Sequence, residues 1–512
     1  MADSTREIAR TYEVMGVARL PDLTRVAGVA SVAHRGVDEL DALHYDTEDL
    51  RLTADSLSLR RCPDGHDAGW HLTIPIAPNL RDDLREPLSD TVPHSFAGLL
   101  RSRIRDNALV PVARLLGTRD AHHLNDADGT LLAAVSVDTV RAERPAGGPA
   151  AACWTTIEVR LADGGDPALL DLVEQRLRRA GAHPVTAPSA LARALAATDP
   201  DRAPASARGR STPETAAPAT AGDHVLAYLR AQTEEIVALD PAVRRDLLDS
   251  VHRMRVATRR LRSALRTYRK ILDRNVTDPV GDELRWLAAE LGVGRDQEVL
   301  DARLRADLDE LPGTLTLGPV RARLRIWSTA RGGDSRARVL AVLDGPRYLT
   351  LLNRLDALLA GPPLLPAASR APGRTLSRAV LKDYARLAAR VDRARDLPPG
   401  HARDLALHDA RKAAKRARYA AEAARPALGK PADRFAGRMK ALQTLLGDHQ
   451  DSVVARDALR DLAVRAHAAG EPSFTWGLLH GREEAVAAAR ERRLPRAWRR
   501  ASRPGLRRAL DG

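Results

Sequence analysis

His252, Arg255, Arg259, Arg260 and Arg262 stand at relative positions 0, +3, +7, +8 and +10, and the set recurs at His408, Arg411, Lys415, Arg416 and Arg418. Positions 0, +3, +7 and +10 share one face of an α-helix, so each set forms a stripe of cations and not a girdle. Arg266 and Lys412 extend the two stripes. At ~1.5 Å per residue, His252 to Arg266 spans roughly 20 Å, a row that suits a long flexible anion meeting each cation in turn. Arginine dominates the row, and its planar fork takes two phosphate oxygens at once. The segment VHRMRVATRRLRSALRTYRK, residues 251–270, holds nine basic residues and no acid. A helix so charged repels itself unless something opposes it.

The recurrence extends beyond the stripes. ELGVGRDQEVL places Gly292 and Asp296 at +40 and +44 from His252, and LLGDHQDSVVA places Gly447 and Asp451 at +39 and +43 from His408. The helical part is therefore an internal duplication with an offset of about 155 residues. Two readings of the stripes stand side by side: contact with a polyanion, or a structural face neutralised by acids of a neighbouring helix. Asp296 and Asp451 can cap a following helix or orient an arginine. His252 and His408 can equally be packed, neutral side chains.

The elements that carry the stripes lie in a region of long Ala, Leu and Arg segments with helical period, interrupted at 311–319, 361–373 and 397–400. Residues 223–512 are expected to be all-α. Residues 198–222 are rich in Pro, Ala, Ser and Thr without apolar periodicity and read as a linker. Upstream, residues 1–197 show short alternating segments at 7–14, 56–62, 69–76, 129–137 and 154–161, with turn formers Asp64-Gly65 and Asp128-Gly129 between some of them. That pattern predicts an antiparallel sheet or barrel, closed by helical pieces near 167–180 and 189–197.

Charge divides the chain the same way. Residues 1–200 hold 22 Lys and Arg against 29 Asp and Glu, whereas 201–512 hold 59 against 38, so the net +14 comes from the second part. A basic domain of this kind points to a polyanionic partner. Cys62 and Cys153 make neither a disulfide framework nor a Cys-x-x-Cys metal site. The polar N-terminus and the lack of a long uncharged apolar run predict a soluble, cytoplasmic chain without membrane contact.

With its second copy and the LGVGRD and LLGDHQD segments, the His-x-x-Arg-x-x-x-Arg-Arg-x-Arg pattern resembles the conserved histidine α-helical (CHAD) domain over 223–512. The resemblance implies two repeats, about 223–360 and 375–512, forming four-helix bundles related by a pseudo-twofold axis. It further implies basic helices lining a pore or groove for inorganic polyphosphate, with the twelve stripe residues as contacts. The first 200 residues are similar in layout to the CYTH domain of the triphosphate tunnel metalloenzymes, at EIART, LHYDTEDLRL (43–52), LSLRRC, GWHLTIP, DADGTLLAAVSVDTV, WTTIEVRL and PSALARAL (188–195). That resemblance implies a β-tunnel in which acids hold a divalent metal and basic side chains hold a triphosphate. The expected fold class is thus α+β multidomain, a CYTH-like antiparallel tunnel followed by the duplicated helical bundles.

The tunnel motifs are depleted. The family's opening Glu-x-Glu-x-Lys reads Glu7, Ala9, Thr11; its basic positions read Cys62, Thr73 and Ala190; its late Glu-x-Glu-x-Glu reads Thr156, Glu158, Arg160. Glu7, Arg60, Arg81, Asp83, Arg114, Arg119, Asp138 and Glu158 remain as candidate tunnel residues. Magnesium chemistry on phosphates needs several oxygen ligands and positive charge about the leaving group, and both are thinned together. No catalytic residue or resident metal is assigned, and Mg²⁺ or Mn²⁺ enters only if the tunnel retains activity. The leading expectation is a polyphosphate-binding protein, located at cytoplasmic polyphosphate granules. The alternatives are a metal-dependent tri- or polyphosphatase and a nucleic-acid module. Against the last, aromatics make up 3% of the chain, a poor supply for base stacking.

Overall fold

The computed structural model describes residues 3–14, 20–65, 67–77, 79–145, 152–185, 190–198, 220–332 and 335–511. The chain divides into two compact units, 1–215 and 216–512. The expected linker, 198–222, lies largely outside the described residues, as do Pro188 and Ser189.

The first unit is an antiparallel barrel. Its strands are β1 (Asp3–Val14), β2 (Ser31–Asp46), β3 (Ser58–Cys62), β4 (Gly69–Ala77), β5 (Leu80–Glu86), β6 (Val110–Asn125), β7 (Leu131–Glu143) and β8 (Ala152–Leu161). They run in the order β5-β4-β3-β2-β6-β7-β8-β1, and β1 pairs back on β5 to close the ring, with the short β9 (His183–Pro184) beside β1. Closure leaves no free edge among these eight, and an eight-strand barrel has an interior that side chains can fill. Helices α1 (Arg51–Ala54), α2 (His94–Ile104), α3 (Ala168–Arg179) and α4 (Ala190–Thr198) pack on it.

Period two decides which side chains enter. Trp70, Leu72 and Leu84 pack on Phe96 and Leu100 of α2, while Val135, Ile157 and Val159 pack on Leu170 and Val173 of α3. The alternate positions form the inner face. Registers carry that face round the ring: Glu7 opposite Arg81, Asp83 opposite Thr73, His71 opposite Arg60, Arg60 opposite His44, Arg119 opposite Asp138 and Ser136 opposite Glu158. Leu191 and Leu195 of α4 pack on Trp154, Val140 and Leu115 of that same inner face, so α4 plugs one end of the barrel. Strands β2, β5 and β6 were not anticipated, because charged residues on both faces of β2 and β6 and along the inner face of β5 mask the alternation.

The second unit is all helical: α5 (Ala221–Arg244), α6 (Ser250–Thr267), α7 (Arg274–Glu290), α8 (Val293–Asp309), α9 (Val320–Gly332), α10 (Ser335–Asp344), α11 (Pro346–Ala360), α12 (Pro372–Asp396), α13 (His401–Leu428), α14 (Lys430–Ala468), α15 (Phe474–Ala501) and α16 (Pro504–Asp511). Shifted by the repeat offset, α5 and α6 match α12 and α13, α7 with α8 matches the unbroken α14, and α9 with α10 matches α15. The helices are thus duplicated, but the cores are shared. One core joins α5, α6 and α7 to α12, α13 and the first half of α14; the other joins α8 and α9 to the second half of α14 and the start of α15.

Glycines mark the tightest joints. A Cβ at Gly117 on β6 would lie 1.8 Å from the Thr139 carbonyl oxygen of β7, whereas one at Gly98 on α2 meets nothing. Gly117→Ala is expected to destabilise the barrel by about 3 kcal/mol, since backbone must move. Gly98→Ala should be neutral or gain up to about 1 kcal/mol. Denaturant midpoints of both variants check this, and an unshifted Gly117→Ala transition would count against the strand register.

Candidate functional site: a basic groove between the repeats

Alanine brings the two stripes together. Ala410, Ala413, Ala414, Ala417, Ala420, Ala421 and Ala424 form a buried small-residue face on α13, and small side chains let helix backbones approach closely. Tyr268, just past the end of α6, donates its hydroxyl to the Ala420 carbonyl at 2.9 Å, and Arg416 Nη2 donates to the Arg266 carbonyl at 2.9 Å. On α6, Met254, Ala257, Leu261 and Leu265 are buried in the same core. That packing leaves His252, Arg255, Arg259, Arg262 and Arg266 along its margin.

A depression of about 350 Å³ opens there, lined by Arg259, Arg262 and Arg266 from α6, Lys412, Lys415 and Arg416 from α13, and Arg386 and Arg390 from α12. A second, of about 450 Å³, shares Arg262, Arg266, Arg386, Arg390 and Arg416 and adds Arg269, Arg274 and Arg285. Together they make a continuous basic groove. Arg386, Arg390 and Arg285 were missed in the sequence because they fall outside the duplicated motif and reach the groove only through helix packing.

The carboxylates are arranged to aim cations and not to cancel all of them. Asp383 of α12 is buried and accepts from Thr267 Oγ1 at 2.6 Å, Arg386 Nη1 at 2.6 Å and Arg416 Nε at 3.0 Å. It fixes two guanidinium groups at the groove wall. Arg255 is gripped by both oxygens of Asp296, at 2.7 and 2.9 Å. A Cβ at Gly292 would meet that guanidinium at 2.7–3.0 Å, and one at Gly447 would lie 3.4–3.9 Å from the Arg411 guanidinium. The distant Leu-Gly-x-x-x-Asp therefore packs on the first arginine of each stripe: in the first repeat the glycine makes room for it and the aspartate holds it, whereas in the second a Cβ would be in ordinary contact. Asp451 differs, since burial raises its carboxyl above the usual range even though Arg411 and Arg303 pull it down.

Not every stripe residue faces the groove. Arg260 and Arg418 both turn to Glu422, at 3.2 and 3.3 Å, and lie over the Tyr419 ring. Arg260 lines a separate depression with Tyr228, Arg425, Asp433 and Lys440. Lys412, at the rim of the first depression, pairs with Asp409 at 3.3 Å. His252 is exposed. His408 is half-buried and held below its usual pKa by burial and by Lys412, against a hydrogen bond with Gln450.

What distinguishes the groove is the cations left without an acid. Among the described residues Arg259, Arg262, Arg266 and Lys415 make no ion pair. Burial, with Arg255 and Arg411, holds Arg259 below its ordinary value, and burial with Arg266 and Arg285 does the same to Arg262. Both stay charged, because arginine titrates far above neutrality. Lys415 is the exception: burial, then Arg259, Arg411, Arg255 and Arg418, push its ammonium down to about 7, so charged and neutral forms coexist near neutrality.

The barrel interior is the opposite case. Arg81 donates to Glu7 at 3.0 Å and to Glu158 at 2.8 Å, and Arg160 takes the other Glu7 oxygen at 2.8 Å. Arg119 grips Asp138 at 2.9 and 2.8 Å, Thr73 donates to Asp83 at 2.8 Å, and Arg193 of α4 pairs with Glu13 at 2.6 Å. Burial alone would raise the Glu158 carboxyl, yet Arg81, Arg119 and Arg160 hold it below the usual range. Arg60 also faces inward, where its charge acts on Asp83. Arg114 is a correction. It stands five residues before Arg119 on an unbulged stretch of β6, so it faces outward, where it grips Asp41 at 2.9 and 2.6 Å. These residues do not fit a divalent cation. The inward carboxylates Glu7, Glu13, Asp138 and Glu158 are each bonded to at least one guanidinium, and Asp83 is engaged by Thr73, His71 and Arg85, so they do not converge as free oxygen ligands. Among the described residues one His-carboxylate cluster, Asp404, His449 and Glu491, has ligand spacing, but it lies in the helical unit with Arg456 on Asp404 and Arg403 on Glu491.

The profile of the CHAD domain matches residues 227–460. Two proteins of Mycobacterium tuberculosis, Uncharacterized protein MT2285 of strain CDC 1551 / Oshkosh and Uncharacterized protein Rv2226 of strain H37Rv, are each 37% identical over 520 residues, covering 99% of this chain and 98% of their own length. Among solved structures, PptA from Streptomyces chartreusis is similar at 23% identity and a TM-score of 0.48, over 55% of this chain and 99% of that one. The CHAD domain from the plant Ricinus communis follows at 25% identity and a TM-score of 0.40, over 57% and 92%. No helix of the described residues is long and apolar enough to cross a membrane.

Lys415 offers a direct check of the groove's electrostatics. Its Nζ, followed by heteronuclear NMR and assigned with Lys415→Arg, should titrate about three pH units below the ordinary lysine value of about 10.4. Arg259→Gln removes the strongest of its like-charged neighbours and should move the midpoint upward. A midpoint above about 9.5 would mean that the guanidinium cluster is not packed round the amine as described.

Proposed function

This chain belongs to the CHAD-domain family, and from that premise we propose that its helical unit receives inorganic polyphosphate in the groove between α6 and α13. The observation that carries the reading is the set of guanidinium and ammonium groups, Arg259, Arg262, Arg266 and Lys415, that face one depression without acids of their own. Like charges gathered without partners and partly withdrawn from water are costly, and a polyanion supplies the missing countercharge. A polymer of repeating phosphates suits two adjoining depressions better than a compact ligand, because successive units can reach Arg259, Arg416, Arg386 and Arg285 in turn. Lys415 adds a sign. Below pH 7 its amine is already charged in the free protein, and above it a proton must be taken up on binding. Affinity should therefore fall with rising pH, by up to about tenfold per unit above the free midpoint.

We read the barrel as a non-catalytic companion. The carboxylates that a tunnel enzyme needs for metal are here held by arginines, and the arginines that would hold phosphate are held by carboxylates. A polyphosphatase would need both sets released at once.

Two experiments test these readings. Titration of the full chain with long-chain polyphosphate should show binding that weakens on the order of a hundredfold between 50 and 200 mM salt, the loss for about five neutralised phosphates. Arg259→Gln with Arg262→Gln, and Lys415→Gln with Arg416→Gln, should each cost tenfold or more in affinity at about 1 kcal/mol or more per charge-assisted contact, while helix content is kept. Unchanged affinity in either folded variant, or equal affinity for duplex DNA, would remove the polyphosphate reading. For the barrel, tripolyphosphate with Mg²⁺ or Mn²⁺ should release no phosphate above background. Metal-dependent turnover near one per second that is lost in Glu158→Gln would make it a working enzyme.

A further inference from the structure

We propose that Lys415 is a site of direct acylation by acyl phosphates, the groove arginines holding the phosphoryl half while the amine attacks the acyl half. The inference rests on the reading of the groove as a phosphate receptor and assigns it a second class of small ligand. Its basis is the placement of a single unpaired amine. Toward Lys415 the neighbouring helices turn Arg255, Arg259 and Arg262 from α6 and Arg386 and Arg390 from α12, and α13 itself adds Arg411, Lys412, Arg416 and Arg418. The acids of the same depression are engaged elsewhere: Asp383 by Thr267, Arg386 and Arg416, and Asp409 by Lys412. Glu422, the next acid along α13, is held by Arg260 and Arg418. No carboxylate is left to hold the amine as an ammonium ion, so a large share of it is a free base near neutral pH.

A desolvated lysine beside cations is the arrangement that makes the amine a nucleophile. The same guanidinium groups attract a phosphoryl dianion, which brings a bound acyl phosphate's carbonyl carbon close to Nζ. The depression of about 350 Å³ corresponds to roughly ten waters of liquid volume, enough for a phosphoryl group with a short acyl chain. The step balances without a further reactant. The Nζ lone pair forms a bond to the acyl carbon, the carbon–oxygen bond to phosphorus breaks, and its electron pair leaves on the phosphate oxygen. The proton released by nitrogen goes to that phosphate, giving a neutral amide and monohydrogen phosphate. The amide can no longer take up the proton that a bound polyanion would draw onto Nζ, so acylation lowers the groove's capacity for polyanions.

The chain contains five other lysines, Lys270, Lys382, Lys412, Lys430 and Lys440, all exposed and therefore an internal comparison. An ordinary lysine is only about 0.1% free base at pH 7.5. The gain at Lys415 is partly offset because a weaker base is a poorer nucleophile, which leaves a net advantage on the order of tenfold. The experiment treats the full chain with acetyl phosphate at pH 7.5 and follows each lysine's acetylation by peptide mass spectrometry. Lys415 should react on the order of tenfold faster than the mean of the other five, and long-chain polyphosphate should suppress it while leaving Lys430 unaffected. N-acetoxysuccinimide, an acetyl donor without phosphate, should show a smaller preference for Lys415. A Lys415 rate no greater than that of the exposed lysines overturns the inference, as does an equal preference with the phosphate-free donor. Polyphosphate affinity is measured on the same unmodified sample. Tight binding with an unreactive Lys415 overturns only this inference, whereas absence of binding in the folded chain overturns the receptor reading and this one together.

Discussion

Like charges gathered without countercharge must be held together by something else, and in the helical unit that something is apolar packing. Two unit charges 6 Å apart at an effective dielectric of 20 repel by roughly 3 kcal/mol. A fully buried leucine contributes about 2–3 kcal/mol in the other direction. The groove cations therefore need a core of matching size directly beneath them. Leu261 and Leu265 of α6, Leu387 and Val391 of α12 and the alanine face of α13 supply it in one continuous cluster. The pairing of Arg416 with Asp383 and with the Arg266 carbonyl ties this core to the charged rim where α6, α12 and α13 meet.

The two units solve the arginine problem in opposite ways. In the barrel, charged side chains converge on the inner face and nearly every guanidinium there is given a carboxylate, with Glu158 shared by Arg81 and the field of Arg119 and Arg160. Among the described residues of the helical unit, Arg259, Arg262, Arg266 and Lys415 are left without a carboxylate, and only partial exposure to solvent offsets their repulsion. The replacements Ala9, Thr11, Thr73 and Arg160 fit this logic. Ala9 and Arg160 stand where the family pattern has acids that would hold a cation, and Thr11 and Thr73 where it has bases that would hold phosphate, so both kinds of charge are thinned and those that remain pair with one another.

The sequence reported the stripes well because a helix imposes its 3.6-residue period on nearby residues, and the duplication repeated the message. Gly292 and Gly447 were visible as a repeated spacing, though the task of Gly292 in admitting a guanidinium was not. Arg386 and Arg390 were illegible because their place depends on how α12 packs against α13, which no local pattern encodes. Arg114 was legible and misread. Its odd separation from Arg119 puts the two on opposite faces of any regular strand, but β6 carries charge on both faces and did not register as a strand at all. Long, doubly charged strands such as β2 and β6 lose the alternation that makes strands readable, and that loss accounts for most of the missing barrel.

The duplicated sets are no longer equivalent, and one position shows why a single groove results. At +14 from the leading histidine, the first repeat has Arg266 and the second has Glu422. Arg266 adds a cation to the wall where α6 meets α12 and α13. Glu422 instead draws in Arg260 at +8 of the first stripe and Arg418 at +10 of the second, cancelling charge on the other side of the helix pair. Arg262 at +10 and Arg416 at +8, the counterparts of those two, stay at the groove. A symmetric pair of basic helices would expose two similar cationic faces, each weakened by repulsion across the shared core. Exchanging one arginine for one glutamate at +14 closes the first face with ion pairs and concentrates the unpaired cations on the second. The extended cationic row then belongs to neither repeat alone, and it exists only while the alanine face of α13 keeps the two stripes side by side.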